Sequence, residues 1–232
     1  LAANADISLS VSHPEKAYEI NLMSSIALVN ICNSCNVERF FFASTSAVYG
    51  EPNYLPVDRK HPTSPISPYG LTKLGFEQYL NYLSKTSSTK FAVFRFPNVY
   101  GFRQRPDLEG GVIAIFQYAI QLNHDITIFG DGEQTRDWVD VSDIKKALYL
   151  GLSITEKFNI FLLGSNTKTS LNKLFEYFKE VSNYSKDPTY LAPRAGDIKH
   201  MMMNYDHANK VLNWKPVISL RDGIENLIHQ TI

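Results

Sequence analysis

The sequence lacks several features, and each absence excludes a class of protein. Only two cysteines, Cys32 and Cys35, occur among its 232 residues, at the C-x-x-C spacing of a redox pair or half a zinc site. Because no second Cys/His pair is placed to complete a metal site, we expect reduced, partly buried thiols and no bound metal. Lysine plus arginine and aspartate plus glutamate number 23 each, and this balance argues against a binder of nucleic acids or membrane surfaces.

Long apolar runs are also absent. No stretch of about 18 apolar residues occurs, so the sequence predicts no transmembrane helix. The first residues, Leu-Ala-Ala-Asn-Ala-Asp, have neither the positive charge nor the apolar segment of a secretion signal. We therefore expect a cytoplasmic protein.

Helical and strand-like patterns alternate along the chain, which indicates an α/β fold with parallel strands. Helices are predicted at about 14–33, 68–84, 110–122, 142–152, 170–181, 206–212 and 220–229, and strands at 40–43, 91–96, 126–129 and 158–163. Ser67 and Ser142 are the expected N-caps of two helices. Segment 44–67 is predicted to be mostly loop, because it contains a glycine and several prolines.

The alternating pattern of helices and strands begins with a helix, at about residue 14, and not with a strand. A doubly wound nucleotide-binding sheet opens with a strand, a glycine-rich turn and a helix. No G-x-G-x-x-G pattern is present, and the glycine pair at 110–111 is isolated and comes too late. We therefore expect that the first part of such a sheet is missing from this chain.

The strongest single motif is Y-x-x-x-K, formed by Tyr69 and Lys73 on a predicted helix. The i,i+4 spacing places both side chains on one helix face. A lysine ammonium favours the tyrosine phenolate and lowers its pKa, and the first-turn position of Tyr69 adds the favourable helix dipole. The pair is therefore a candidate general base. A tyrosine and a lysine four residues apart also occur by chance on solvated helices, so the motif alone does not decide.

Other polar segments follow predicted strands or turns: 43–50 (Ala-Ser-Thr-Ser-Ala-Val-Tyr-Gly), 95–101, 129–137 and 193–197. Side chains at the carboxyl ends of strands face the crevice in which open α/β sheets bind ligands. Arg136 and Arg194 are candidates to clamp one diphosphate. Taken singly, each segment is equally consistent with an ordinary polar connection between a strand and a loop, or with surface residues.

Together, in this order and spacing, the five segments resemble the extended short-chain dehydrogenase/reductase family, and most closely its UDP-hexose 4-epimerases. The resemblance covers essentially the whole chain. It implies a doubly wound, Rossmann-type parallel sheet, truncated at its N-terminus, with a smaller C-terminal α/β part that binds substrate. The implied division is an NAD-binding part at 1–105, interleaved with 140–165, and a part at 106–232 that mainly binds the nucleotide sugar.

The resemblance also implies roles for individual residues. Tyr69 matches the family's base, Lys73 its partner and Thr45 the hydroxyl that bonds the reacting sugar oxygen. The implied NAD contacts are Leu1, Ala2, Ala3, Asn21, Ser44, Thr45, Tyr69, Lys73 and Pro97. The implied substrate contacts are Thr45, Tyr69, Asn98, Gly111, Val112, Thr127, Phe129, Arg136, Arg194, Asp197 and Met201.

The implied reaction is epimerisation of a nucleotide sugar, with UDP as the expected nucleotide, by transient oxidation to a keto-sugar. Related dehydratases and decarboxylases carry an acidic residue at the Ser46-Ala47 positions, and alanine cannot transfer a proton, so both reactions are disfavoured. A medium-sized Met201 at the position that gates the pocket disfavours bulky N-acetyl sugars. A nucleotide-sugar reductase of the same fold and a non-catalytic relative that binds NAD or a protein stay open.

Two further expectations concern assembly and completeness. The family forms homodimers through helices that match 14–33 and 68–84. Without the glycine-rich part, the strand at 40–43 loses central neighbours. We therefore expect that the chain alone binds NAD poorly and has no independent activity.

Overall fold

The computed structural model describes residues 3–107, 111–193 and 198–229. Its helices are α1 (Ile7–Ser12), α2 (Pro14–Ala17), α3 (Ser24–Ser34), α4 (Pro68–Leu83), α5 (Val112–Gln121), α6 (Val141–Gly151), α7 (Leu171–Val181), α8 (Asp206–Leu212) and α9 (Leu220–His229), with a π-helical segment at Tyr18–Met23 and a 3-10 helix at Ser46–Tyr49. Its strands are β1 (Arg39–Thr45), β2 (Lys90–Phe96), β3 (Asn98–Tyr100), β4 (Thr127–Phe129), β5 (Thr135–Arg136), β6 (Trp138–Asp140), β7 (Phe158–Leu162), β8 (Thr169–Ser170) and β9 (Thr189–Leu191).

The central sheet is parallel and has the strand order β1-β2-β7. Phe40 of β1 pairs with Phe91 of β2, which in turn pairs with Phe158 of β7. Five consecutive residues of β2, 91–95, are buried. A strand that has neighbours on both edges and helices on both faces contains a continuous apolar run, as residues 91–94 of β2 do.

Helices cover both faces of this sheet, because successive side chains of a strand point to opposite sides. On one face, Phe42 and Val93 pack with Val29 of α3 and Phe76 and Leu80 of α4. On the other face, the strands pack against α6, α8 and a following tryptophan, through Phe94, Phe161, Ile144, Ala147, Ala208 and Trp214. The predicted doubly wound α/β architecture is confirmed.

The helix predicted at 14–33 is interrupted, which the apolar pattern did not reveal. Between α2 and α3 the chain is π-helical, and Asn21 in this segment is buried. Helix α1, whose N-cap Asp6 accepts a hydrogen bond from the Leu9 N–H at 2.9 Å, was not predicted either. Both features escape prediction because a six-residue π-helical segment and a helix shorter than two turns are too short to give an apolar period of their own.

A second core lies between α5, α7 and α9. Phe116, Phe178 and Ile224 are fully buried there, together with Trp138 of β6. The segment of α8 packs against the sheet instead, through Ala208 and Trp214. The division into an NAD-binding part and a substrate-binding part stays a prediction. Although α8 falls within the predicted substrate-binding part, it packs on the central sheet.

Two local expectations differ from the structure, namely Ser142 as a helix N-cap and the partial burial of Cys35. Asp140, not Ser142, caps α6: its carboxylate accepts a hydrogen bond from the Ser142 N–H at 2.7 Å. Cys32 is half-buried, but Cys35 is exposed, and both are free thiols. In the described part of the chain, no group of three or more histidine, cysteine, aspartate or glutamate side chains is arranged to hold a metal ion. None of the helices described above is both long and apolar enough to cross a membrane.

Candidate active site

The polar segment after β1 begins at the carboxyl edge of the sheet. Thr45 is the last residue of β1, and its hydroxyl accepts a hydrogen bond from the Ala47 N–H at 3.1 Å, which starts the 3-10 helix. Thr45 pairs in register with Phe96, so Pro97 and Asn98 follow at the same edge. Thr45 and Asn98 are half-buried, whereas Pro97 is buried. The structure thus brings these three predicted residues to one edge of the sheet.

The start of α4 positions Tyr69. Ser67 is the N-cap, as predicted, and its hydroxyl accepts a hydrogen bond from the Gly70 N–H at 3.2 Å. Pro68 takes the first helical position, where its missing N–H costs nothing. The Tyr69 N–H donates to the Ser10 hydroxyl at 3.2 Å, so α1 anchors this turn. Ser10 is buried. This contact is not predictable from a local sequence pattern, because the two residues are 59 positions apart in the chain.

Lys73 lies one turn further along α4 and is 5% exposed. Its Nζ donates a hydrogen bond to the Ala43 carbonyl oxygen at 3.0 Å, and it lies 5.8 Å from the ring centroid of Tyr69. Burial lowers the pKa of Lys73 from 10.5 to about 8, and Glu77 opposes this by favouring the charged form. Lys73 is therefore a cation at neutral pH, close to the phenol ring.

A network of buried hydrogen bonds around Glu77 supports the position of Lys73. Glu77 accepts hydrogen bonds from the Ser44 hydroxyl and from Arg95, which reaches both carboxylate oxygens. Sequence patterns gave no role to Glu77 or Arg95. Ser44, a predicted NAD contact, is 3% exposed, and its side chain is engaged with Glu77. The NAD contact of Ser44 stays a prediction.

Asn21 holds the start of the described chain. Its side-chain oxygen accepts from the Asn4 N–H at 2.8 Å, and its side-chain nitrogen donates to the Asn4 carbonyl at 2.9 Å. Asn21 therefore fixes the segment that contains Ala3, which is exposed. A direct contact of either residue with NAD stays a prediction. Leu1 and Ala2 lie outside the described residues.

The predicted substrate contacts fall on separate elements. Gly111 is the N-cap of α5, and Val112 begins that helix. On β4, Thr127 is exposed and Phe129 is half-buried. Arg136 is half-buried on β5, and its guanidinium donates to the Thr135 carbonyl at 3.0 Å. Arg194 and Asp197 lie outside the described residues, so the proposed arginine clamp stays a prediction.

Met201 is joined to the strand that carries Arg136. Its N–H donates to the Thr135 carbonyl at 3.1 Å, and its side chain is 3% exposed among apolar residues that include Tyr49 and Met203. Asp137, which the sequence analysis did not single out, secures this segment. It accepts from the Met203 N–H at 2.9 Å and from the Ser165 hydroxyl at 2.6 Å, and burial raises its pKa to about 6.

A family model described as "NAD dependent epimerase/dehydratase family" matches residues 1–164, which is more than half of the chain. The chain belongs to this family. The match includes Thr45, Tyr69 and Lys73, and it confirms the family predicted from the motifs.

Individual relatives agree with the family match. A putative UDP-glucose 4-epimerase of Methanocaldococcus jannaschii is 38% identical over 229 residues, which are 98% of this chain and 74% of that protein. The crystal structure of the Thermotoga maritima UDP-glucose 4-epimerase with UDP-glucose is 36% identical and has a TM-score of 0.95, over 98% of this chain and 74% of that one. The Thermus thermophilus UDP-glucose 4-epimerase in complex with NAD is 30% identical with a TM-score of 0.90, at the same coverage of 98% and 74%.

The donor groups at the carboxyl edge fit a nicotinamide dinucleotide. A ribose offers hydroxyl groups, which suit an ammonium and a phenol as partners. The Lys73 ammonium has three N–H donors and makes one described hydrogen bond, to Ala43, which leaves donors for a ribose. This edge of a doubly wound sheet is also where such folds bind nucleotides.

Proposed function

We propose that this protein is an NAD-dependent 4-epimerase of a UDP-hexose. The observation that carries the proposal is the position of Lys73, a buried cation 5.8 Å from the Tyr69 ring at the carboxyl edge of the sheet. The family match and relatives that are UDP-glucose 4-epimerases support the same activity.

Tyr69 is proposed as the base. The Lys73 ammonium and the N-terminal dipole of α4 both favour a phenolate, so Tyr69 can take the proton from the sugar 4-hydroxyl and later return it. NAD, when bound, would supply the hydride acceptor for carbon 4, and its reduced form would be the hydride donor for the opposite face of the sugar. The Thr45 hydroxyl is proposed to donate a hydrogen bond to the same sugar oxygen, which stabilises negative charge on it.

The remaining site residues are proposed to bind. Asn98 and Pro97 lie beside Thr45, where they are proposed to contact the sugar and the nicotinamide. The proposed nucleotide contacts are Gly111, Val112, Thr127, Phe129, Arg136, Arg194, Asp197 and Met201. Ala47, which is buried beside Thr45, has no proton to transfer, and this disfavours dehydration.

The first test is the interconversion of UDP-glucose and UDP-galactose in the presence of NAD, followed by chromatography of the products. A 4-epimerase interconverts them without net change in NADH absorbance. A net change that depends on the sugar nucleotide would instead indicate a reductase. Calorimetry first measures the binding of NAD, because the activity assays are informative only for protein that binds the cofactor.

The second test is Tyr69→Phe, which keeps the ring and removes the proton acceptor. We expect kcat to fall by about 10²- to 10⁴-fold, as for loss of a general base. Tyr149→Phe is the matched control, because Tyr149 lies on α6, outside the site, and is 74% exposed. Undiminished activity of Tyr69→Phe would contradict the proposed function.

We also propose a homodimer formed through the helices between residues 7 and 34 and through α4. Large apolar side chains are exposed there, among them Val11, Met23, Leu28, Ile31 and Tyr82. Contiguous exposed apolar residues are typical of association surfaces. Light scattering tests the proposal, and a Leu28→Lys variant that shifts a dimer to a monomer would support it.

We also propose a cytoplasmic location, and the support for it comes from the sequence alone.

A further inference from the structure

A buried ion pair lies beneath Tyr69 and Lys73. Arg95 Nε and Nη2 donate to the two carboxylate oxygens of Glu77 at 3.1 and 2.6 Å, and Nη1 donates to the Tyr49 hydroxyl at 2.8 Å. Glu77 is 1% exposed and Arg95 is 5% exposed. A bidentate pair of this kind fixes both the geometry and the charge state of its members.

Lys73 could compete with Arg95 for this carboxylate. Tyr69, Lys73 and Glu77 follow one another at four-residue intervals on α4, so their side chains share one helix face. In the structure, however, Arg95 engages both oxygens of Glu77, and Ser44 donates to one of them. The Lys73 Nζ instead donates to the Ala43 carbonyl and lies over the Tyr69 ring.

We propose that Arg95 is a positioning residue that holds both oxygens of Glu77 and thereby leaves the Lys73 ammonium to act on the Tyr69 hydroxyl. The inference rests on the proposed role of Tyr69 as the base. The charges of Arg95 and Glu77 cancel, so the charge of Lys73 is the net charge of the buried trio. A cation beside a phenol favours its ionised form, and the pair therefore preserves the reactivity of Tyr69.

The loop after the 3-10 helix brings further titratable groups near this pair: His61 is 4% exposed, its ring centroid lies 5.3 Å from that of Tyr49, and it lines one cavity together with Arg59 and Arg95. The described residues that α1, α2, the π-helical segment and α3 bury are Ser10, Ala17, Asn21 and Val29, which are uncharged. The exposed charged or titratable residues of that region are Asp6, His13, Glu15, Lys16, Tyr18, Glu19 and Cys35, and Cys32 is half-buried. The 3-10 helix contributes Tyr49, whose pKa burial raises, so it stays neutral. Within the described parts of β1 and β2, Arg95 is the buried charged residue.

The test measures the pKa of Tyr69 by NMR titration of protein labelled at the ζ carbon of tyrosine, with the signal assigned from Tyr69→Phe. Arg95→Met lets Glu77 pair with Lys73, so the pKa of Tyr69 should rise by about one pH unit. Glu77→Gln removes the anion, so that pKa should fall. The double variant removes one charge of each sign and should return the pKa close to its original value. In the NAD-loaded enzyme, the acidic limb of the kcat profile should move in the same order.

The control is Arg221→Met, which breaks the exposed Arg221–Glu180 ion pair at 3.2 Å and should leave Tyr69 unchanged. A purely structural role of Arg95 would lower the melting temperature of every variant without this ordered displacement of the titration. An unmoved Tyr69 pKa in Arg95→Met, or a double variant that stays displaced, would overturn the inference.

A second variant keeps the test decisive if Arg95→Met does not fold. Arg95→Lys keeps the charge but loses the bidentate contact, which frees one oxygen of Glu77 for Lys73. Arg95→Lys should raise the pKa of Tyr69 by less than Arg95→Met does. Glu77→Gln should shift the same pKa in the opposite direction. Shifts of the same sign in these two variants would overturn the inference. Full activity of Tyr69→Phe contradicts the proposed function instead, so the two failures are distinguishable.

Discussion

Lys73 and Ala43 are joined by a hydrogen bond of 3.0 Å from the lysine Nζ to the backbone carbonyl oxygen. The bond ties the second turn of α4 to the end of β1, two residues before Thr45. It therefore sets where the Tyr69 side chain lies relative to the Thr45 hydroxyl. The same lysine thus has a structural contact and an electrostatic effect, and these two can be separated by experiment.

Lys73→Met should lower kcat by about 10²-fold or more, because Tyr69 loses the cation that favours its phenolate. The fall should be largest near neutral pH and smaller at alkaline pH, where Tyr69 ionises without help. Steady-state assays over a pH series measure this. Lys85→Met, which removes an exposed lysine just after α4, is the control and should keep its activity.

The stability of the protein should depend on pH through the same lysine. Burial lowers the pKa of Lys73 from 10.5 to about 8 in the folded state, so the unfolded chain binds more protons between these values. The free-energy cost of burying the Lys73 ammonium therefore applies in full below pH 8. It disappears as the pH rises towards 10.5. The free energy of unfolding, relative to Lys73→Met, should rise over this window by up to about 3 kcal/mol. Urea denaturation over a pH series gives the difference in free energy of unfolding between the protein and Lys73→Met. A difference that does not change with pH would refute the prediction.

Ser67→Ala should destabilise the protein by about 1 kcal/mol, because the Gly70 N–H loses its capping partner. For a chain of this size the melting temperature should fall by about 2–4 °C. Ser67→Asp retains an acceptor at the cap and should lose much less. Calorimetry compares the three proteins, and equal melting temperatures would show that the cap contributes nothing.

Asn21→Ala should destabilise the protein by about 1–2 kcal/mol, because it removes both hydrogen bonds to the Asn4 backbone. Asn21→Asp keeps the acceptor for the Asn4 N–H and loses the donor to its carbonyl, so its loss should be intermediate. Denaturation in urea gives these values. If Asn21→Asp were less stable than Asn21→Ala, the buried charge would outweigh the retained bond.

The same substitution should have opposite effects at two glycines. A Cβ at Gly164 would lie 2.1 Å from the Met203 carbonyl oxygen and 2.7 Å from the Asp137 carboxylate, so Gly164→Ala should destabilise by at least about 2 kcal/mol. A Cβ at Gly75, within α4, meets Leu22 at an ordinary 3.7 Å, so Gly75→Ala should stabilise by about 0.5–1 kcal/mol. Thermal unfolding of both variants checks the signs.

The sequence by itself determined the alternating α/β organisation, the family and the position of Tyr69 and Lys73 on one helix. These follow from local patterns: an apolar period of two or 3.6 residues, a serine cap before Pro68, and a four-residue spacing. The parallel sheet followed as well, since helices between strands leave few other connections. The four predicted strands and every predicted helix except 14–33 match elements whose ends lie within two residues of the predicted ones. Helix α1, the π-helical interruption of 14–33 and the short strands β3, β5, β6, β8 and β9 were not predicted.

Only the tertiary structure decided which residues support the pair. Glu77 and Arg95 are 18 residues apart, and Ser10 and Tyr69 are 59 apart, so no local pattern relates them. Ser44 reads as a polar residue at a strand end, but the alternation of side chains along β1 directs it to Glu77. Contacts of this kind depend on how α4 packs on the sheet, and that packing is a property of the whole fold, not of any one segment.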